Sequence, residues 1–382
     1  MLEKVVFGAS QLITELDMST ISFIVDNNTD LQGTQHCGFD VKSPEVLVGS
    51  TSGYEIIVCS TSISEIKKQL TAYGFQWGTN AYVHPALVEV EELAELDNLQ
   101  FNFLVSSGLP SNSKSLSSGG VYLIEEDENY PKTTCVYEGQ THGLIRFGEG
   151  GFAVACQGTG VVYLSSDYKV INHIQIPKGL RPHGLKRYNN LWVIVCSLAD
   201  CILGIDDDGN EAFRYGFSNK IDIDGTAQHH CNDLEIIGDF AYVSMFSVTG
   251  NWKRGIFDGG LVEIDLKSGA CSVIINNLTM PHSVNSVDGE IYILDSFTGR
   301  LLGKNFNELA QLPGFVRGYD SDKNYFYIGE SKNRNFSRLN THRSPVSLDS
   351  KITIIDKQYG CCRSIPLPKR ITEIHSVLRV LA

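Results

Sequence analysis

Five histidines occupy the same point of a repeated sequence unit, each at the start of an alternating strand. They are His142 in THGLIRF, His183 in RPHGLKRY, His230 in HHCNDLEII, His282 in MPHSVNSV and His375 in EIHSVLRV. Imidazole is a common ligand for zinc, manganese, iron and nickel, and three imidazoles on one ion leave a position open for catalysis. These residues therefore predict a divalent metal site, provided that the fold brings them together.

The expected chemistry gives roles to these histidines and to charged residues near them. His183, His230 and His282 are predicted metal ligands, and His142 and His375 are predicted to move protons. One further unit starts at Gly318, without a histidine. Guanidinium groups near it suit a carboxylate or phosphate of the substrate. The remaining candidates are Arg317 and Glu330 for catalysis, and Arg181, Lys332 and Asn232 for substrate binding, with Arg334 beside them.

The elements that must position these residues are short alternating strands, separated by Gly, Asp and Asn turns, from about residue 101 onward. Units begin at six places, at intervals of 36 to 57 residues, and a complete unit has four strands. This period predicts the blades of a β-propeller. The first strand of each blade lines the central axis, so equivalent residues of successive blades would point to one place.

The number of blades follows from an incomplete last unit. HSVLRVLA, which begins at His375, has room for one strand only, and the segments QFNFLVSS, GGVYLIEE and TTCVYEG before His142 are three strands without a first. We therefore predict that the C-terminal strand completes the blade that begins at residue 101. The expected fold is mainly β, with a six-bladed propeller over residues 101–382.

Residues 1–95 predict a small α/β domain. KVVFGAS, ISFIVDNN and EIIVCSTS are continuous apolar strands, and ISEIKKQLTAYGF is a helix with Ser62 or Ser64 as N-cap and Gly74 as its end. Their order resembles the Rossmann-type domain appended to bacterial sugar-modifying enzymes. That resemblance implies a nucleotide site, but the turn after the first strand has only Gly8 and is followed by a truncated first helix. A structural or docking role, for instance toward a partner enzyme, is the alternative.

The C-terminal region also resembles a known family. MPHSVNSVDGEIYILDSFTGRL, QLPGFVRGYDSDKNYFYIGESKNR and ITIIDKQYGCCRSIPLPKRITEIHSV are similar to a bacterial family of six-bladed propellers of unknown function, over roughly residues 100–380. The resemblance implies the fold and no established reaction. HCNDL keeps His230 and Asn232 of the family pattern and has Asp233 where the family has glycine.

Two other interpretations of the histidines stay open. Each histidine could bond the backbone of the next blade and lock the ring without a ligand. Alternatively, Asn232 and Asp295 resemble the oxygen ligands of gluconolactonase-like propellers, which implies calcium, magnesium or manganese. We rate the histidine site above the oxygen site, because no early glutamate ligand is evident.

Composition excludes several classes of protein. A net charge of −13 and a pI near 5.2 disfavour a nucleic acid partner. No signal peptide or long apolar run is present, so no membrane partner and a cytoplasmic location are expected. Cys59, Cys156, Cys196 and Cys271 lie in apolar runs and are expected to be reduced core residues.

The sequence therefore predicts a metal-dependent enzyme that acts on a sugar or sugar acid. A lyase, epimerase or hydrolase in cytoplasmic polysaccharide or glycoconjugate metabolism fits these residues. The alternative is a noncatalytic propeller that binds a glycan or a partner protein.

Overall fold

The computed structural model describes residues 2–108, 119–127, 130–332 and 346–380. The chain divides into two compact units, Met1–Leu99 and Gln100–Ala382. No helix in these described ranges is long and apolar enough to cross a bilayer.

The first unit is built on a six-stranded sheet with the order β3-β4-β2-β1-β5-β6. Its elements are β1 Glu3–Phe7, β2 Ile21–Val25, β3 Gln35–His36, β4 Phe39–Lys42, β5 Tyr54–Val58, α1 Ile63–Ala72, β6 Ala81–Val83 and α2 Val88–Asn98. The β3–β4 pair is antiparallel and the other pairs are parallel. The sheet is thus mixed and contains more strands than α-helices, so a Rossmann-like domain stays a prediction.

Helix α1 and the turn after β1 show how this unit is held. Ile63, Ile66 and Leu70 are buried against the sheet, at the spacing that predicted the helix. After β1, a 3-10 helix over Gln11–Glu15 replaces a full α-helix. The Asp26 carboxylate accepts the N–H of Ala9 at 2.7 Å. This backbone donor, which a phosphate would need, is therefore already bound by a side chain.

The second unit is a propeller whose strands form six four-stranded sheets within the described ranges. Three strands come first: β7 Asn102–Ser107, β8 Gly120–Glu125 and β9 Lys132–Glu138. Blade 1 has β10 Gln140–Phe147, β11 Gly151–Gln157, β12 Gly160–Leu164 and β13 Val170–Ile174. Blade 2 has β14 Pro182–Tyr188, β15 Leu191–Cys196, β16 Cys201–Ile205 and β17 Glu211–Gly216.

The remaining blades follow the same order. Helix α3, Lys220–Asp224, precedes blade 3, which has β18 Cys231–Ile237, β19 Phe240–Met245, β20 Gly259–Asp265 and β21 Cys271–Leu278. Blade 4 has β22 His282–Val287, β23 Glu290–Asp295, β24 Arg300–Leu302 and β25 Glu308–Gln311. Blade 5 has β26 Phe315–Ser321, β27 Tyr325–Ser331, β28 Lys351–Asp356 and β29 Cys362–Pro366, and β30 is Ser376–Val380.

The core of the propeller lies between neighbouring blades. Ala155 and Tyr163 of blade 1, for example, pack in one cluster with Trp192 and Leu203 of blade 2. The same face-to-face packing joins the other blades. The ten cysteines are free thiols. Cys271 was expected in the core but is exposed, because it lies on the outermost strand of its blade.

The ring closes through the C-terminal strand. Strand β30 pairs antiparallel with β7, in the sheet order β30-β7-β8-β9, which we call the closing blade. Arg379 of β30 donates its N–H to Asp320 of blade 5 at 2.7 Å, and Arg146 of blade 1 donates to the same carboxylate at 2.7 Å. Asp320 thereby ties three consecutive blades together.

Deletion of residues 372–382 should abolish the cooperative unfolding of the propeller. The deletion removes the innermost strand of the closing blade and exposes the edge of β7. Urea unfolding followed by near-ultraviolet circular dichroism checks this outcome. A control that lacks only residues 381–382 keeps β30 and should unfold like the full chain. An unchanged transition in the longer deletion would contradict a closing role for β30.

Candidate functional site

A register shift near the start of the inner strands of blades 1 to 5 builds the site. In blades 1, 2, 3 and 5, two consecutive residues there face one residue of the second strand, and these pairs are His142-Gly143, His183-Gly184, Asn232-Asp233 and Arg317-Gly318. In blade 4 the shift lies between His282, which pairs with Leu294, and Asn285, which pairs with Tyr292. By sequence pattern, His282-Ser283 and His375-Ser376 hold the matching places in blade 4 and at the start of β30. The inner strands contact one another in a closed cycle. The first members of the six pairs, which we call the axial ring, therefore surround the axis.

Small residues at the second position let the inner strands approach closely. A Cβ atom on Gly143 would lie 2.7 Å from the carbonyl oxygen of His183, and one on Gly184 would lie 2.2 Å from the Asp233 carboxylate. Neither contact is tolerated by ordinary side chains. These glycines thus allow the neighbouring histidines to converge.

Three histidines of the axial ring form one group, from the closing blade and blades 1 and 2. The ring centroid of His142 lies 4.1 Å from that of His183 and 4.4 Å from that of His375. The centroids of His183 and His375 are 5.3 Å apart. One nitrogen of each imidazole lies within 4.8 Å of the other two. This arrangement could hold one metal ion.

Burial keeps these imidazoles uncharged. It lowers the pKa of His142 and His183 well below the ordinary value, and neighbouring histidines and Arg181 lower both further. Burial also lowers the pKa of His375 to about 4. Among the described residues, Nδ1 of His142 has no hydrogen-bond partner, and Nε2 of His375 lies 3.5 Å from the Glu373 carboxylate. The group therefore offers neutral nitrogen lone pairs, which metal binding requires.

His230 does not belong to the axial ring, contrary to the sequence alignment. Asn232 holds the blade 3 position, and His230 lies two residues earlier, just before β18. Its ring packs 4.3 Å from Phe246 and 4.6 Å from Trp252. The apolar residue after each pair aligns the blades correctly. Leu234 follows Asn232-Asp233 in blade 3, as Leu185 follows His183-Gly184 in blade 2. The same alignment places Arg317 at the axial-ring position of blade 5, where the sequence analysis found no histidine.

His282 is in the axial ring but outside the group of three. Its Nδ1 lies 2.9 Å from the carbonyl oxygen of Met280 and 2.8 Å from the hydroxyl of Ser296. Since a carbonyl only accepts, Nδ1 carries the proton and Nε2 keeps its lone pair. Burial lowers the pKa of His282 well below the ordinary value, with Arg317 adding to the effect.

Asn232 lines a small cavity together with His183, His282 and His375, and the cavity volume is about 10 Å³. Such a volume accommodates about one water molecule. The Asn232 amide donates to the carbonyl oxygens of His230 at 3.1 Å and Pro281 at 3.3 Å. These bonds fix its orientation and leave Oδ1, which has no partner among the described residues, as the acceptor.

Two arginines and one glutamate lie close to the axial ring. Arg181 and Arg317 both lower the pKa of His142 and His375, which shows their proximity. Arg317 Nη1 is 3.9 Å from Glu373 Oε1, and Glu373 Oε2 is 3.5 Å from His375 Nε2. Sequence reasoning missed Glu373. The sequence feature that could have identified it is its position. Glu373 lies two residues before His375, just as Arg181 lies two residues before His183.

Three other sequence candidates are not brought to the axial ring. Glu330 is fully buried within blade 5, where it accepts from the Thr353 hydroxyl and lies 3.5 Å from Lys351 Nζ. Lys332 is exposed just after β27, and Arg334 lies outside the described residues. Asp295 is bound by Arg300 and Thr298 of its own blade, each at 2.6 Å. Its other oxygen, Oδ1, accepts the N–H of Thr279 at 2.6 Å, so both oxygens are engaged. The oxygen site of Asn232 and Asp295 stays a prediction.

Comparisons with known proteins are consistent with this architecture. The model of a family described as a domain of unknown function (DUF4915) matches residues 163–382. A protein of unknown function from Bacteroides caccae is 12% identical, with a TM-score of 0.50, and the match covers 74% of this chain and 99% of that chain. Virginiamycin B lyase from Staphylococcus aureus is 10% identical, with a TM-score of 0.44, over 70% and 85% of the two chains. No curated protein matches. Only the first likeness supports the fold, and neither likeness transfers an activity.

The buried histidines predict a pH dependence of stability in chelator-treated protein. The unfolded chain protonates these imidazoles near pH 6.5, whereas the folded chain holds the pKa of His375 at about 4. Stability is therefore fully present above pH 6.5 and falls as the pH drops toward 4. Between pH 6.5 and 4, the free energy of unfolding should fall by about 3 kcal/mol less in His375→Gln than in wild type. Urea unfolding across this pH range measures it.

The matched control is His173→Gln, because His173 is exposed on the outer strand β13. This variant should leave the pH dependence of unfolding unchanged. Equal slopes for wild type and His375→Gln would show that His375 is not held neutral by the fold.

Proposed function

We propose that this chain, which belongs to the DUF4915 family of domains of unknown function, is a metal-dependent enzyme that acts on a sugar acid. The observation that carries the proposal is the group of His142, His183 and His375, whose nitrogens lie within 4.8 Å of one another. Two arginines beside this group supply the complementary charge for a carboxylate.

The donor set fits a transition metal ion. Three neutral imidazoles favour zinc, manganese, iron or nickel over calcium. The buried Nδ1 of His142, which has no hydrogen-bond partner among the described residues, fits a metal ligand. A bound ion would supply Lewis acidity toward a carboxylate or carbonyl.

The histidine roles change in the light of this geometry. His142 and His375 were expected to move protons, but they support ligand roles together with His183. His282 is the histidine left for proton transfer, because its Nδ1 is fixed on Met280 and Ser296 and its Nε2 is a neutral base. A neutral imidazole can remove a proton next to a carboxylate, as a lyase or epimerase requires.

Charged and polar residues would hold the substrate. Arg181 and Arg317 bind its carboxylate, and Glu373 orients both Arg317 and His375 from between them. The Oδ1 atom of Asn232 accepts a hydrogen bond from a water molecule in the small cavity or from a sugar hydroxyl. Each of these groups is fixed before the substrate arrives, which lowers the cost of organising the transition state.

Protein purified without chelator should contain about one equivalent of a divalent transition metal ion, which elemental analysis measures. His183→Ala and His142→Ala should each lower the metal content to near zero, because each removes one of three ligands. The ion should also raise the melting temperature of wild type, since it binds only the folded state.

His230→Ala is the control for this experiment. His230 lies outside the group of three, so this variant should keep its metal. Metal-free wild type that gains no thermal stability from added ions would overturn the metal centre and favour a noncatalytic binding propeller. Equal losses in His230→Ala and His183→Ala would show that the group of three is not the site.

A further inference from the structure

A rigid segment after β19 stands beside the axial ring. Residues 247–258 include a 3-10 helix over Trp252–Arg254. The N–H of Asn251 donates to the Ser247 hydroxyl at 2.9 Å, and the Ser247 hydroxyl donates to Asp258. The Lys220 ammonium donates to Asn251 Oδ1 at 3.2 Å and to backbone oxygens of the segment. The segment is thus held in place by internal bonds.

Trp252 and Phe257 of this segment line a surface depression of about 430 Å³, together with Lys253 and Gly255. The indole N–H of Trp252 donates to the carbonyl oxygen of Ala227 at 3.2 Å, which fixes the ring. The Lys253 ammonium lies 4.4 Å from the Trp252 ring centroid. The depression therefore combines the fixed aromatic ring of Trp252 with the ammonium group of an exposed lysine.

The charge here is opposite to that of the whole chain. Lys253 and Arg254 are consecutive and exposed, although the chain carries a net charge of −13. Asp224 lies 4.0 Å from Arg254, at the limit of an ion pair, and the Arg254 side chain remains 66% exposed. Lys253 lines the depression and Arg254 follows it in sequence. An aromatic ring followed by two cations suits a ligand that joins a flat ring to phosphate.

Contacts between aromatic and imidazole rings place the depression near the candidate active site. The Trp252 ring lies 4.6 Å from His230, His230 lies 4.3 Å from Phe246, and Phe246 lies 5.2 Å from His282 of the axial ring. The side chains of His230 and Phe246 lie between the two places. A ligand that reaches both must therefore span these side chains with an extended linker.

We infer that this depression binds the diphosphate-linked ring of the substrate, with the ring on Trp252 and the phosphates on Lys253 and Arg254. The inference rests on the proposed function, because it makes the substrate a nucleotide-linked sugar acid. The sugar carboxylate would lie at the axial ring and the nucleoside diphosphate on this segment. A sugar phosphate offers the same chemistry, since the C–H face of a sugar also packs on indole.

Tryptophan fluorescence of the full-length protein tests the inference. The chain has three tryptophans, of which Trp192 is fully buried in the propeller and Trp77 lies in the first unit. Uridine diphosphate should change the emission saturably, and Trp252→Phe should abolish the change. No change in wild type, or a change that persists in Trp252→Phe, would overturn the inference.

A double variant keeps Trp252 as the reporter. Lys253→Gln with Arg254→Gln changes two exposed side chains, and because Lys253 lies 4.4 Å from the Trp252 ring, the emission of the ligand-free variant is its baseline. It should weaken uridine diphosphate binding by about tenfold or more, because two charge-assisted contacts are lost. Unchanged affinity in this variant, or equal affinity of wild type for uridine and uridine diphosphate, would overturn the phosphate contacts.

Two further measurements distinguish a sugar from a nucleobase on Trp252, and this inference from the proposed metal centre. Glucose 1-phosphate that binds as tightly as uridine diphosphate would identify the ring as a sugar, whereas weaker binding would identify it as a nucleobase. His183→Ala should lose metal and still bind uridine diphosphate, because His183 does not line the depression. A failed metal centre would therefore leave this binding intact, and a failed binding test would leave the metal result unchanged.

Discussion

The close approach of six inner strands around one axis is the constraint on which the site depends. Gly318 illustrates it, because it adopts a φ of +75° and a Cβ atom there would lie 2.9 Å from the backbone of Ser376. Only small residues fit at most of these places. The backbone crowding that demands them also brings the preceding side chains together in one buried space. Convergence, burial and neutrality of the histidines thus have a single physical origin.

In this buried space, electrostatic interactions between charged groups are stronger than at the protein surface. Water ordinarily weakens an interaction between a guanidinium and an imidazole, but it is largely excluded around Arg317, which is 6% exposed. The arginines therefore help to keep the imidazoles unprotonated while remaining charged themselves. Glu373 balances part of this charge. The positive charge of the arginines favours an anionic substrate group that is held by more than one blade.

Much of the propeller could be predicted from periodicity, and the site only in part. The repeated turns and the incomplete last unit were sufficient for six blades, because strand number depends on pattern alone. The placement of His230 failed because the repeat was aligned on a letter, whereas the frame is set by buried residues such as Leu234. Glu373 and the engagement of Asp295 by Arg300 depend on contacts between separate turns and strands. Helix α1 was accessible because its buried residues are local in sequence, and the bond from Ala9 to Asp26 was not.

The closing blade also fixes the order in which the site can come into being. A ribosome that has produced the first five blades has already made His142 and His183, but not His375. The group of three assembles only when β30 emerges and pairs with β7, a strand made at the start of the propeller. Until then, the nascent chain carries two histidines that lack their third neighbour. Binding of the proposed metal ion by an unfinished chain is therefore disfavoured by the connectivity of the fold.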